Sequence, residues 1–100
     1  MIIPAGAKCF SDCLRMSSEV YQHLKSLLKS KYGVSAVNIG DEGGFAPPFN
    51  TVDEALTVIM DAVSDAGYVP GKDVFLAIDA ASSEFYSDGA GPAAAHGLAV

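Results

Sequence analysis

The sequence predicts an α/β chain running in the order strand, helix, irregular loop, helix, strand. Three observations predict it. Apolar residues recur at three- and four-residue spacing from Phe10 and again from Ala55. Thr51 and Glu54 stand in the Thr-x-x-Glu relation that opens helices. A run of five apolar residues, "VFLAI", ends on Asp79.

The first strand is Met1 to Ile3, closed by Pro4, with "PAGAK" as a loop. From about Phe10 the period changes. Phe10, Cys13, Leu14, Val20, Tyr21, Leu24, Leu27 and Leu28 form the apolar side of an amphipathic helix. Asp12 and Glu19 lie toward its start, and Lys25, Lys29 and Lys31 toward its end, the polarity a helix dipole favours. Gly33 is placed to cap it. The second helix starts at the Thr51 cap, carries Ala55, Leu56, Ile59, Ala62, Val63 and Ala66 as its stripe, and stops at Gly67. "YVPGKD" is a turn. The run "VFLAID" fits a strand covered on both faces, as in parallel sheets, so the order reads as a crossover unit. Residues 90–100 are Gly/Ala-rich, nearly uncharged and without period, and form a separate tail.

Bulk properties narrow the function. One hundred residues, 50% hydrophobic, allow at most one compact domain. A net charge of −6 and a pI near 4.5 disfavour nucleic acid and anionic membrane as partners. A small anionic substrate remains compatible, because a bound metal neutralises charge locally. Cys9 and Cys13, four apart on the expected helix, read as two small buried apolar groups rather than a disulfide or metal site. No apolar run reaches a membrane span, and the N-terminal stretch lacks the charge order of a secretory signal. The expected location is the cytoplasm.

The chemistry-bearing candidates are acids. "NIGDEGGFAPPF", residues 38 to 49, sets Asp41 and Glu42 before two glycines and two prolines. Glu42 is either a turn acid, with the glycines supplying φ > 0, or a carboxyl held on a pocket rim as a general acid. Asp41 is a turn former or a hydrogen-bond anchor. Asp79 is either a cap for the following turn or, at the C-terminal tip of a strand, a hard oxygen ligand for Mg²⁺. Glu84 is a loop residue or a second support for that site. His23 and His96 carry no nucleophile arrangement and read as ordinary helix and tail residues. No phosphate-cradling glycine motif occurs.

Taken together, "MIIPAGAKCFSDCLRM", "SEVYQHLKSLLKSKYG", "NIGDEGGFAPPF", "EALTVIMDAVSDAGY" and "AIDAASSEFYSDG" resemble the enolase family, in its order and nearly its spacing, from Met1 to about Gly89. The resemblance implies an incomplete segment of the enolase-type TIM-like barrel: residues 1–89 as part of the C-terminal catalytic domain, which begins strand-strand-helix-helix, and 90–100 as a divergent tail. It implies a lyase, phosphopyruvate hydratase, which in the full-length context reversibly dehydrates 2-phosphoglycerate to phosphoenolpyruvate in glycolysis. In that reaction a lysine takes a proton, Mg²⁺ ions stabilise the intermediate, and a glutamate helps hydroxide leave. Glu42 matches that glutamate, and Asp79 matches the first of three acidic Mg²⁺ ligands. Full-length members are homodimers.

The same resemblance marks what the segment lacks. Met1 falls just after the family's second active-site glutamate, and the other two Mg²⁺ ligands and the base lysine lie beyond the matching stretch. A whole β/α barrel takes about 250 residues. The isolated chain is therefore expected to be inactive, to bind Mg²⁺ weakly, and to associate through unpaired strand edges. The alternative reading is a non-catalytic enolase-like fragment or interaction module; a stand-alone anion- or metal-binding module is a third.

Overall fold

The structure, a computed structural model, describes residues 1–85, so the tail, His96 and the boundary at residue 89 lie outside the described residues. Strand β1 (Ile2–Ile3) leads to helix α1 (Phe10–Tyr32), a 3-10 turn (Val34–Val37), helix α2 (Val52–Asp65), strand β2 (Phe75–Leu76) and a last 3-10 turn (Ser82–Phe85). The helices fall where periodicity and caps predict them. Gly33 ends α1, its amide donating to the Lys29 carbonyl. At α2, the Thr51 hydroxyl accepts from the Glu54 amide at 3.2 Å, while Glu54 Oε2 accepts from the Asn50 amide at 3.1 Å. The reciprocal arm of the capping box thus reaches one residue further upstream than the pattern requires.

The helices run antiparallel. Near the start of α1, Glu19 accepts from the hydroxyl of Tyr68, just past α2. At the far end, Tyr32 donates to Glu54 Oε1, in the first turn of α2, at 2.6 Å. Along this interface, Met16, Val20, Leu24 and Leu28 of α1 pack with Val58, Ile59, Ala62 and Val63 of α2. The α1 residues are spaced by four, so they stack along one face. Val74 closes the core from the strand side, and Ala36 and Phe45 from the loop.

Several expectations are corrected here. The strands pair antiparallel, Ile2 with Leu76 and Ile3 with Phe75, rather than parallel. Two helices separate them, and each reverses the chain, so the second strand returns against the first; one intervening helix would have made them parallel. β2 is not covered on both faces: Val74 is buried, but Phe75 is 45% and Ile78 57% exposed. The burial stripe of α1 runs through Val20, Leu24 and Leu28 as expected but differs at its start. Phe10 and Leu14 face solvent and Met16 enters the core, because Met16 lies four residues before Val20 on the face that meets α2, whereas Leu14 lies on the opposite side of the helix. Cys9 is not on the helix but is its exposed N-cap residue, and Cys13 is half-buried. Among the described residues the two strands form one small sheet and no closed barrel.

Candidate functional site

The loop from Asn38 to Phe49 is more ordered than an irregular connection. The Gly43 amide donates to the Gly40 carbonyl at 3.0 Å, and the Gly40 amide to the Gly44 carbonyl at 2.8 Å. Ile39 and Phe45 bridge in antiparallel sense, and the Ala46 amide donates to the Asn38 carbonyl at 2.9 Å. This is a tight hairpin with Asp41 and Glu42 at its corners. Gly43 closes it at φ +81°, in the left-handed region that favours glycine. Both acids are exposed at the tip.

Aromatic side chains fix this hairpin to α1. Phe45 is fully buried and stacks on Tyr21 with ring centroids 4.5 Å apart. The Tyr21 hydroxyl donates to the Gly43 carbonyl at 3.3 Å. Further along, Phe49 meets Tyr32 edge-on at 5.3 Å. Pro47, between them, is buried. The Tyr32–Glu54 hydrogen bond holds the Glu54 carboxyl below its ordinary range and pushes the Tyr32 hydroxyl up. The loop is therefore fastened at both ends while its acidic tip stays in solvent.

Asp79 lies just after β2 and is exposed. Its Oδ1 accepts from the Ala81 amide at 2.9 Å, a local turn that holds Ala81 at φ +46°. Glu84 belongs to the backbone of the last 3-10 turn. His23 is exposed on α1, its Nδ1 within 2.7 Å of the Glu19 carbonyl oxygen, as an ordinary helix residue. Glu42 and Asp79 share no hydrogen bond or ion pair, and no three His, Cys, Asp or Glu side chains converge among the described residues. Mg²⁺ is held by several converging oxygens. The described residues do not make such a cage; Asp79 stands among them as a single exposed carboxylate.

A second polar cluster sits away from the hairpin. Arg15 bonds Asp12 at 3.0 Å, Glu19 at 3.1 Å and the Tyr68 oxygen at 3.2 Å. The Tyr68 hydroxyl, and then Arg15, hold the Glu19 carboxyl below its ordinary range. Tyr68 itself is pushed up, first by Glu19 and then by burial. This cluster ties α1 to the segment after α2.

The acids are visible in the sequence, but their anchors are not. Phe45 and Phe49 fall in what the sequence predicts as an irregular loop, and Tyr21 on the apolar side of the first helix. One signal was present: Tyr21 and Tyr32 are eleven residues apart, three helical turns, and so share a face.

A helical pair laid over two strands, with acids on the connecting segments, defines a piece of an α/β domain. The profile of the family described as enolase, C-terminal TIM barrel domain, matches residues 1–95. The chain is 56% identical over 89 residues to the enolase of Aeropyrum pernix, covering 89% of this chain and 21% of that protein. It is 53% identical over 88 residues to the enolase of Thermococcus gammatolerans, covering 88% and 20%. The chain belongs to the enolase C-terminal TIM barrel domain family and is an enolase segment. It spans about a fifth of the length of the curated relatives it matches. No described helix is long and apolar enough to cross a membrane.

Proposed function

We propose that this segment serves Mg²⁺-dependent, reversible dehydration of 2-phosphoglycerate to phosphoenolpyruvate, as part of a whole cytoplasmic enolase. The observation that carries the reading is the hairpin at residues 38–49: an acid at an exposed corner, on a backbone fastened from below by Tyr21 and Phe45. Glu42 donates a proton to the departing hydroxyl, which then leaves as water. A positioned acid of this kind contributes roughly 10²–10⁴-fold. The work of the hairpin is to keep that carboxyl at one place without burying it under its own chain. Asp79 would be one oxygen ligand for Mg²⁺, whose charge would oppose the negative charge of the substrate. With one such ligand among the described residues, the isolated chain is expected to hold the ion weakly and to turn over no substrate.

A second reading, a non-catalytic interaction module, is favoured by one observation. Ile3 and Phe75 form an exposed apolar cross-strand pair, with Ile78 exposed nearby in sequence.

The test is a chimera in which this chain replaces the 89 aligned residues of the Aeropyrum pernix enolase, assayed for phosphoenolpyruvate formation with Mg²⁺. The chimera is expected to be active, and Glu42→Gln to lower kcat at least 100-fold, near the low end of what general acids contribute. A folded chimera with Glu42→Gln activity within threefold of its parent would end the assignment of Glu42.

A further inference from the structure

We infer that Tyr21 is a positioning residue for the Glu42 hairpin. α1 presents two tyrosines on one face, Tyr21 and Tyr32, about 16 Å apart along the axis by helical rise. Each takes a phenylalanine of the 38–49 loop: Tyr21 stacks on Phe45 with planes inclined 25°, and Tyr32 meets Phe49 at 81°. The helix thus acts as a ruler for the loop. The two hydroxyls do different work. That of Tyr32 reaches Glu54 and closes the base of α2. That of Tyr21 reaches the Gly43 carbonyl, one residue after Glu42 and inside the turn that carries it.

The geometry gives Tyr21 a specific hold. The turn is closed by the Gly43 amide on one side, bound to the Gly40 carbonyl. The following peptide unit is held at its carbonyl by Tyr21. Gly43 is therefore gripped at both its amide and its carbonyl, and its left-handed backbone has no side chain to restrain it otherwise. Glu42 is exposed, and among the described residues no hydrogen bond of its own sets where its backbone sits. Its placement passes through Gly43, and the placement of Gly43 through the Tyr21 ring and hydroxyl.

The functional weight of this inference rests on the role proposed for Glu42; the hold on the hairpin does not. Amide exchange of the chain itself reads the hold. Tyr21→Phe keeps the ring stack and removes the hydroxyl. It is expected to speed exchange of the Gly40 and Gly43 amides about 2- to 10-fold, the worth of one net hydrogen bond, while the α2 amides keep their rates. Tyr21→Leu, which removes the stack as well, is expected to speed them further. Tyr32→Phe is expected to leave the Gly40 and Gly43 amides unchanged. Unchanged hairpin exchange in Tyr21→Phe, or equal acceleration in Tyr32→Phe, overturns the inference. In the chimera, Tyr21→Phe is expected to lower kcat about 3- to 10-fold with KM unchanged, and to lower it no further once Glu42→Gln is present. An equal kcat loss with and without Glu42 overturns the positioning role. A Glu42→Gln variant of full activity defeats the acid assignment alone, and the exchange rates then still decide whether Tyr21 holds the hairpin.

Discussion

Phe45→Ala should release the hairpin from the core. Phe45 is fully buried, between Tyr21 of α1 and the helical core. A phenylalanine buries about 150–250 Å². At about 25 cal/mol per Å² its removal costs roughly 4–6 kcal/mol, an upper bound because unfolded chains already bury part of that area. Large-to-small substitutions of this kind cost about 3–5 kcal/mol, which agrees. The total stability of a domain is only about 5–15 kcal/mol, so the loss is a large part of the whole. Urea unfolding followed by helical circular dichroism reads the global effect, and amide exchange at Gly40 and Ala46 reads local detachment. With a slope near 1 kcal/mol per M, a 3 kcal/mol loss moves the midpoint by about 3 M or abolishes the folded baseline. Phe45→Leu, which keeps most of the volume, should cost less than about 1.5 kcal/mol. If Phe45→Ala moves the midpoint by less than about 0.5 M and leaves both amides protected, the ring does not anchor the loop and the reasoning fails.

Three further outcomes are expected. Thr51→Ala removes the cap hydroxyl from the Glu54 amide and should cost about 1 kcal/mol, seen as a lower urea midpoint; no change would mean the cap is idle. Gly6→Ala places a methyl 3.0 Å from the Asp73 Cα and 3.2 Å from its carbonyl oxygen, both backbone atoms, where the Gly6 amide also bonds Asp73. It should destabilise the chain by about 1–3 kcal/mol, and a neutral effect would show that the β1–β2 connection yields freely. The Glu19–Tyr68 bond gives stability two edges in pH. Glu19 is held below its ordinary 4.5 when folded, so its contribution is full above about pH 4.5 and is lost as pH falls through the lowered value. Tyr68 is raised above its ordinary 10.0, so its contribution is full below pH 10 and is lost as pH rises through the raised value. Tyr68→Phe should flatten both limbs of a plot of urea midpoint against pH, with Tyr32 and Asp12 leaving a remnant of each. Limbs as steep as the parent's would rule out the pair as their source.

The candidate site was half legible in the chain. Asp41, Glu42 and the paired glycines announce a tight acidic turn because the φ of Gly43 is a local demand. Asp79 announces the turn after β2, three residues past Leu76, and its bond to the Ala81 amide is local too. Neither motif says what holds it. Phe45 and Phe49 look like loop aromatics until α1 is seen to offer Tyr21 and Tyr32 to them.

The sequence by itself determined both helices, the caps at Gly33 and Thr51, and the family, because each is written within a window of a few residues. Thr51 finds the Glu54 amide three positions on, Gly33 finds the Lys29 carbonyl four back, and the motif "GDEGGFAP" is contiguous. Only the tertiary structure decided the direction of β2, the exposure of Phe10 and Leu14 in place of Met16, and the burial of Phe45. Those depend on partners far along the chain, such as Met1 and Ala77, 76 positions apart. Periodicity shows that a helix has an apolar side; it cannot show which residues of that side a second helix will cover.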